Sequence, residues 1–262
     1  MTEFWRSTGL PGLEARRSCQ ERPCYRPHAH DTLSIGSIDE GTSVLSGQLD
    51  GTIRLEAGDV VVIPSGWVHA CNPGEGRWRY QMIHIDQNRA ASLAPRREAE
   101  HLFAGIRVLR RPGLYHLASA LNDAIFADEA REKLTMRFAA LFREVVAASP
   151  LHLVAGDADP ELLARLGPVL HRLRTEESNP PLGELAESVG LTTYQLVRAM
   201  RRATGLPPLA WRQNARIVRA RRMLREGRPI AETAHALGFT DQSHFHRIFR
   251  AHVAASPGAY RG

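Results

Sequence analysis

The chain has 262 residues, 43% hydrophobic and 24% charged, with a formal charge of +6, the balance of a globular protein with room for two cores. No run of 18 apolar residues is present to span a bilayer, and Met1-Thr2-Glu3-Phe4-Trp5-Arg6 lacks the basic and apolar regions of a secretory signal. Cys19, Cys24 and Cys71 form an odd count without metal-finger spacing, which argues against a disulfide framework and for a reducing cytoplasm.

From about His28 to Asp86 the pattern is that of short strands. Apolar runs such as Val60-Val61-Val62-Ile63 are punctuated by Gly36, Gly41, Gly47, Gly51, Gly58 and Pro64, which predicts a sandwich or barrel. In an extended segment His28-Ala29-His30 places both imidazoles on one face. His84 shares strand parity with Trp78, Tyr80 and Met82, either lining a cavity with them or lying in a core. From about Asn88 to Ala148 the period becomes helical. Leu117, Leu121 and Ile125, then Leu134, Phe138, Leu141, Phe142 and Val145, repeat every three or four residues. The stripe Leu134, Phe138, Leu141 and Val145 fits either a dimer face or packing against the β domain. Ser149 to Pro160 reads as a linker.

The last third is basic and repetitive. From Leu163 to Gly262 there are 16 arginines against 7 acidic residues, whereas the rest of the chain holds 18 basic and 21 acidic groups. That asymmetry is the footprint of nucleic-acid binding. Leu182 to Thr192 matches Ile230 to Thr240 at an offset of 48, aligning Ala186 with Ala234 and Gly190 with Gly238. After one insertion Leu196 aligns with Phe245 and Arg198 with Arg247. Each copy has helix-turn-helix grammar: a small alanine at the crossing, a glycine that ends the first helix, and Thr192 or Thr240-Asp241 to cap the second. Between them Pro208 to Glu226 reads as one helix, long enough to hold two recognition helices about one DNA turn apart. Nothing of the form Gly-x-Ser-x-Gly or Gly-x-x-x-x-Gly-Lys occurs, so hydrolase and nucleotide-switch readings lack support.

Ala215-Arg216-Ile217 through Leu224, Ile230 to Ala234, Gly238-Phe239, Phe245 to Arg250 and Ser256 to Arg261 resemble the AraC/XylS family of transcription regulators over about the last 100 residues. One departure is Ala254, where the family usually has glycine. The resemblance places base-facing positions at Thr193, Tyr194, Val197 and Arg198, and at Gln242, Ser243, His244, His246 and Arg247. Arg201 and Arg250 share those exposed faces, and Arg250 is assigned to phosphate. Gly58-Asp59 through His69 is similar to the second cupin motif, with a first motif beginning near His28. A cupin is a small double-sheeted barrel, which in many AraC-like regulators binds the effector.

The combined expectation is an α+β multidomain protein. It has a cupin β-barrel in 1–90, a helical dimerisation region in 91–160 and an all-α double helix-turn-helix domain in 161–262. It would be a cytoplasmic homodimer that binds promoter DNA, responds to a small-molecule effector and works with RNA polymerase, with no enzymatic activity and no membrane contact. The effector residues are His28, His30, His69, Trp78, Tyr80 and His84. His28, His30 and His69 also suit zinc, iron or nickel, but metal cupins normally add a glutamate where this chain has Ser34 or Ile35, so no cofactor is expected. The alternative is a metal-dependent cupin enzyme fused to a DNA-binding tail.

Overall fold

The computed structural model describes residues 2–22, 25–47, 51–94, 99–155, 159–176 and 178–262. Its internal contacts define two units, Met1–Pro23 with His30–Gly156, and Cys24–Ala29 with Asp157–Gly262.

The first unit contains β1 (Thr2–Arg6), β2 (Glu14–Gln20), β3 (Leu33–Glu40), β4 (Thr42–Gly47), β5 (Ile53–Glu56), β6 (Asp59–Ile63), β7 (His69–Pro73) and β8 (Trp78–Ile85). These are followed by α1 (Gln87–Leu93), α2 (Ala99–Phe103), β9 (Gly105–Arg110), α3 (Pro112–Phe126), α4 (Arg131–Ala147) and β10 (His152–Ala155). A seven-stranded sheet runs β1-β2-β8-β3-β6-β9-β10, and a three-stranded sheet runs β5-β4-β7. Among the described residues the two sheets share no ladder, so the expected barrel is not closed. The chain passes from one sheet to the other at Gly41, whose φ is +79° and where a Cβ would lie 2.0 Å from the Arg77 carbonyl oxygen. Only glycine fits that corner.

Strand alternation gives the larger sheet two unlike faces. Ala15, Ile35, Val62 and Ile83 share one face and form a single core with Leu121, Ile125, Leu134, Phe138, Leu141, Phe142 and Val145. Each fully buried Leu or Phe here contributes about 1.5–3 kcal/mol. Leu134, Phe138, Leu141 and Val145 are all 0% exposed, so this stripe is core and not a dimer face. Accordingly α3 and α4, read from sequence as part of a separate helical region, belong to the first unit. Part of the expected linker is also strand: β10 pairs antiparallel with β9 at the sheet edge.

The second unit contains α5 (Pro160–Thr175), α6 (Leu182–Glu187), α7 (Thr193–Thr204), α8 (Pro208–Arg225), α9 (Ile230–Ala236), α10 (Gln242–Val253) and α11 (Pro257–Arg261). Leu166, Val169, Leu173, Leu185, Ala186, Leu196 and Met200 make the core that joins α5, α6 and α7. Gly190 and Gly238 have φ of 64° and 68°, the left-handed turns their repeat position requires. Thr192 opens α7 with a capping box, its hydroxyl accepting from Gln195 N while Gln195 Oε1 accepts from Thr192 N. Asp241 caps α10 by accepting from His244 N at 2.7 Å. Two arginines of α8 are structural. Arg212, 2% exposed, donates to the carbonyls of Leu173 in the last turn of α5 and of Glu176 and Ser178 just beyond it. Arg221, 5% exposed, donates to the Tyr260 hydroxyl.

Candidate DNA interface and effector pocket

The face of the large sheet turned away from the helices buries polar groups among Ile38, Val61, Ile63, Trp78 and Tyr80. Cross-strand register aligns Glu14 with His84 and Ser34, Arg16 with Met82 and Gly36, and Ser18 with Tyr80 and Ile38. Glu14, Arg16, Ser18, Ser34 and His84 are all buried on this face. Their contacts are local: Arg6 pairs with Glu14 at 3.4 Å, Arg16 Nε donates to Ser18 Oγ at 2.6 Å, and Ser34 Oγ lies 2.8 Å from His84 Nδ1. The Arg16 guanidinium also lies over the rings of Phe4 and Tyr80, 5.1 and 5.4 Å from their centres.

Three of the expected effector residues meet here. The ring centre of His30 lies 5.0 Å from that of His69 on β7 and 4.8 Å from that of His84 on β8, so this cluster bridges the two sheets. Gly66 N donates to the His30 carbonyl and fixes that end of the cluster. His69 Nδ1 lies 2.9 Å from the Trp67 carbonyl, so Nδ1 carries the proton and Nε2 is left as an acceptor. Burial lowers the His69 pKa to about 4, keeping the ring neutral at pH 7. Trp78 and Tyr80 stack at 4.0 Å between ring centres. Trp78 Nε1 on this sheet and Ser43 Oγ on the smaller one are buried without a hydrogen-bond partner among the described residues. His28 belongs to the second unit, where its ring stacks on Tyr25 at 5.4 Å and meets His252 edge-on at 6.5 Å.

Sequence reasoning missed Glu14, Arg16 and Ser18. Their signal was the every-other-residue polar spacing in a charged stretch, which resembles a solvated strand until its partners are known. Ser34 was noticed only as a residue standing where a carboxylate was expected.

In the second unit the residues expected to face DNA lie on the outer faces of α7 and α10. Thr193, Tyr194, Arg198 and Arg201 are exposed on α7, with Val197 half-buried. Gln242, Ser243, Arg247 and Arg250 are exposed on α10, with His244 and His246 half-buried. Leu196 and Met200, and Phe245, Ile248 and Phe249, fill the opposite faces. Tyr194, 70% exposed, lies under the Arg198 guanidinium, whose carbon is 5.6 Å from the ring centre. Thr240 Oγ1 lies 3.1 Å from His244 Nδ1. The helix joining the two motifs, α8, has 18 residues and is therefore about 27 Å long.

A β domain with a polar interior and two helix-turn-helix motifs define a ligand-responsive transcription regulator. The profile described as an AraC-like ligand binding domain matches residues 10–146, and a helix-turn-helix domain profile matches residues 185–262. The chain belongs to the AraC family of DNA-binding transcription regulators with an effector-binding domain. It is 22% identical to the arabinose operon regulatory protein of Salmonella typhimurium over 217 residues, spanning 78% of this chain and 74% of that one. It is 27% identical to the uncharacterized HTH-type transcriptional regulator YbfI of Bacillus subtilis over 226 residues, spanning 83% of this chain and 80% of that one. Its fold is similar to that of ToxT from Vibrio cholerae, solved with an unsaturated fatty acid bound, with a TM-score of 0.60, 12% identity and coverage of 98% and 97%. No helix among the described residues is long and apolar enough to cross a membrane.

Proposed function

We propose that this regulator senses a polar organic molecule in the interior of its β domain, and that it acts as a cytoplasmic homodimer that recruits RNA polymerase and catalyses no reaction. The observation that carries the reading is the contrast between the two faces of one sheet. The helix-facing side buries its apolar residues in one core, and its polar ones, Arg17, Asp39 and Gln81, bond directly to α3, whereas the interior holds Glu14, Arg16, Ser18, Ser34 and three clustered histidines that no helix engages. Burying such groups is unfavourable, and an interior serving only stability is better filled with apolar side chains. Concave sites with a few convergent polar groups are where small molecules bind. The buried Trp78 indole N–H and Ser43 hydroxyl fit an effector that offers hydrogen-bonding groups to both sheets.

The proposal includes no resident metal. Ser34 occupies a position where metal cupins carry a carboxylate, and it engages His84 instead. Elemental analysis of protein purified without added metal checks this, and one equivalent of zinc, iron or nickel per chain overturns it in favour of the enzyme reading.

DNA selected from a random library with the purified full chain identifies the site, and a thermal-shift screen of polar metabolites identifies the effector. A hit raises the melting temperature through preferential binding to the native state and changes affinity for the selected DNA. A regulator that binds DNA tightly and responds to no compound in a broad screen, with or without Trp78→Phe, is effector-blind and contradicts the proposal.

A further inference from the structure

We infer that the cleft between α1 and the start of α4 is a second small-molecule site, and that it takes a compact dianion, a phosphate ester or a polycarboxylate. Leu10, Asp86, Arg89, Ser92, Arg131 and Thr135 line a cavity of about 530 Å³. That volume lies within the range of metabolite sites.

The walls are pinned independently of any ligand. Asp86 Oδ1 accepts from Arg89 N at 2.9 Å and so starts α1. Thr8 donates from its backbone N and its hydroxyl to the two oxygens of Asp128, at 3.1 and 2.7 Å, tying the loop that carries Leu10 to the turn before α4. Leu10 itself is 2% exposed and belongs to the core shared by the sheet, α3 and α4. The cleft is therefore rigid, which lowers the entropy lost on binding.

Charge decides what it binds. Several arginines of this unit have carboxylate partners: Arg17 with Asp123, Arg79 with Glu40, Arg110 with Asp59 and Glu56, Arg137 with Glu129. Arg89 and Arg131 have none among the described residues, yet they line the same cavity. Two arginines and one aspartate line the cavity, and the Asp86 carboxylate already accepts the α1 amide. The positive end of α4, a 17-residue helix whose N-cap Ala130 supplies no side-chain acceptor, adds to the same field. Guanidinium groups bind the paired oxygens of phosphate and carboxylate in two-point fashion, and the Thr135 hydroxyl can donate a further bond. The site lies outside the histidine pocket and needs no part of it.

The test titrates the full chain with inorganic phosphate and, separately, with citrate, by calorimetry at fixed ionic strength. Wild type, Arg89→Gln, Arg131→Gln and Arg143→Gln are compared, the last being an exposed arginine of α4 away from the cleft. Saturable binding with one site per chain is expected for at least one anion, and which anion binds identifies the ligand class. Each cleft variant weakens it at least about tenfold, as loss of a charged hydrogen bond does, while Arg143→Gln leaves it unchanged. Unfolding midpoints without anion, measured in parallel, show that the variants fold. No saturable binding of either anion by wild type overturns the proposal, as does binding that survives in both cleft variants or falls equally in Arg143→Gln.

Discussion

Ser34 and His84, neighbours across the β3–β8 ladder, are joined by a buried contact of 2.8 Å between Oγ and Nδ1. This pairing orients the His84 ring toward His30. Ser34→Ala removes the nearer partner of a buried ring nitrogen, leaving Thr32 Oγ1 at 3.5 Å, and should cost about 1 kcal/mol. Urea unfolding followed by far-UV circular dichroism measures it. A loss near zero would show that His84 holds its position without Ser34.

His69 makes stability depend on pH in one direction. Its folded pKa, about 4, lies below the usual 6.5 because the ring is buried, so the unfolded chain binds the proton more readily. The native state is thus favoured in full above about pH 6.5 and loses up to about 3 kcal/mol as pH falls toward 4. His69→Gln should flatten this part of the profile relative to wild type. Parallel slopes for the two proteins between pH 6.5 and 4 would contradict the assignment.

Arg198 and Arg247 occupy equivalent repeat positions on exposed recognition-helix faces. Truncating either to alanine should weaken the selected site by about 10- to 100-fold and relax preference at one base pair. Arg250→Ala should weaken all DNA nearly equally and lower the salt slope by about one. Titrations against selected DNA, point variants and random DNA across a salt series separate the outcomes. Equal losses for selected and random DNA would make Arg198 and Arg247 backbone clamps.

Ala254 ends α10 in the left-handed region at φ 52°. A side chain there is strained, and glycine relieves the strain at some entropic expense. Ala254→Gly should therefore stabilise the protein by about 0.5–1 kcal/mol, read as a raised urea midpoint with unchanged DNA affinity. A lowered midpoint would mean that the Ala254 methyl packs more favourably than its backbone is strained.

The helix-turn-helix repeat was legible because its determinants are local. Gly190, Gly238, Thr192 and Asp241 act within a few residues of themselves, and α8 spans Pro208–Arg225 almost as its Pro and Gly borders indicate. The net charge overstated the DNA surface, since Arg212 and Arg221 are turned inward to satisfy carbonyl and phenol oxygens. In the front domain β2 was missed because Glu14, Arg16 and Ser18 face the polar interior while Ala15 faces the core, which erases the usual apolar alternation. The edge strand β10 was hidden by its length of four residues and by Pro and Gly on either side. Whether the stripe of α4 met another protomer or the sheet depended on long-range packing that periodicity alone does not encode.

On β8, His84 meets the His30 ring, while Ile83 and Ile85 on either side of it sit in the core with α3 and α4. One peptide unit, roughly 3.3 Å of strand, separates the ring we assign to the effector from the groups that hold the helices. A molecule that displaced the His84 ring would pull on the strand whose Ile83 and Ile85 share a core with Leu121 and Phe138. Close-packed layers pass such a displacement on rather than absorb it, so the sheet itself would be the lever between an occupant and the helical layer.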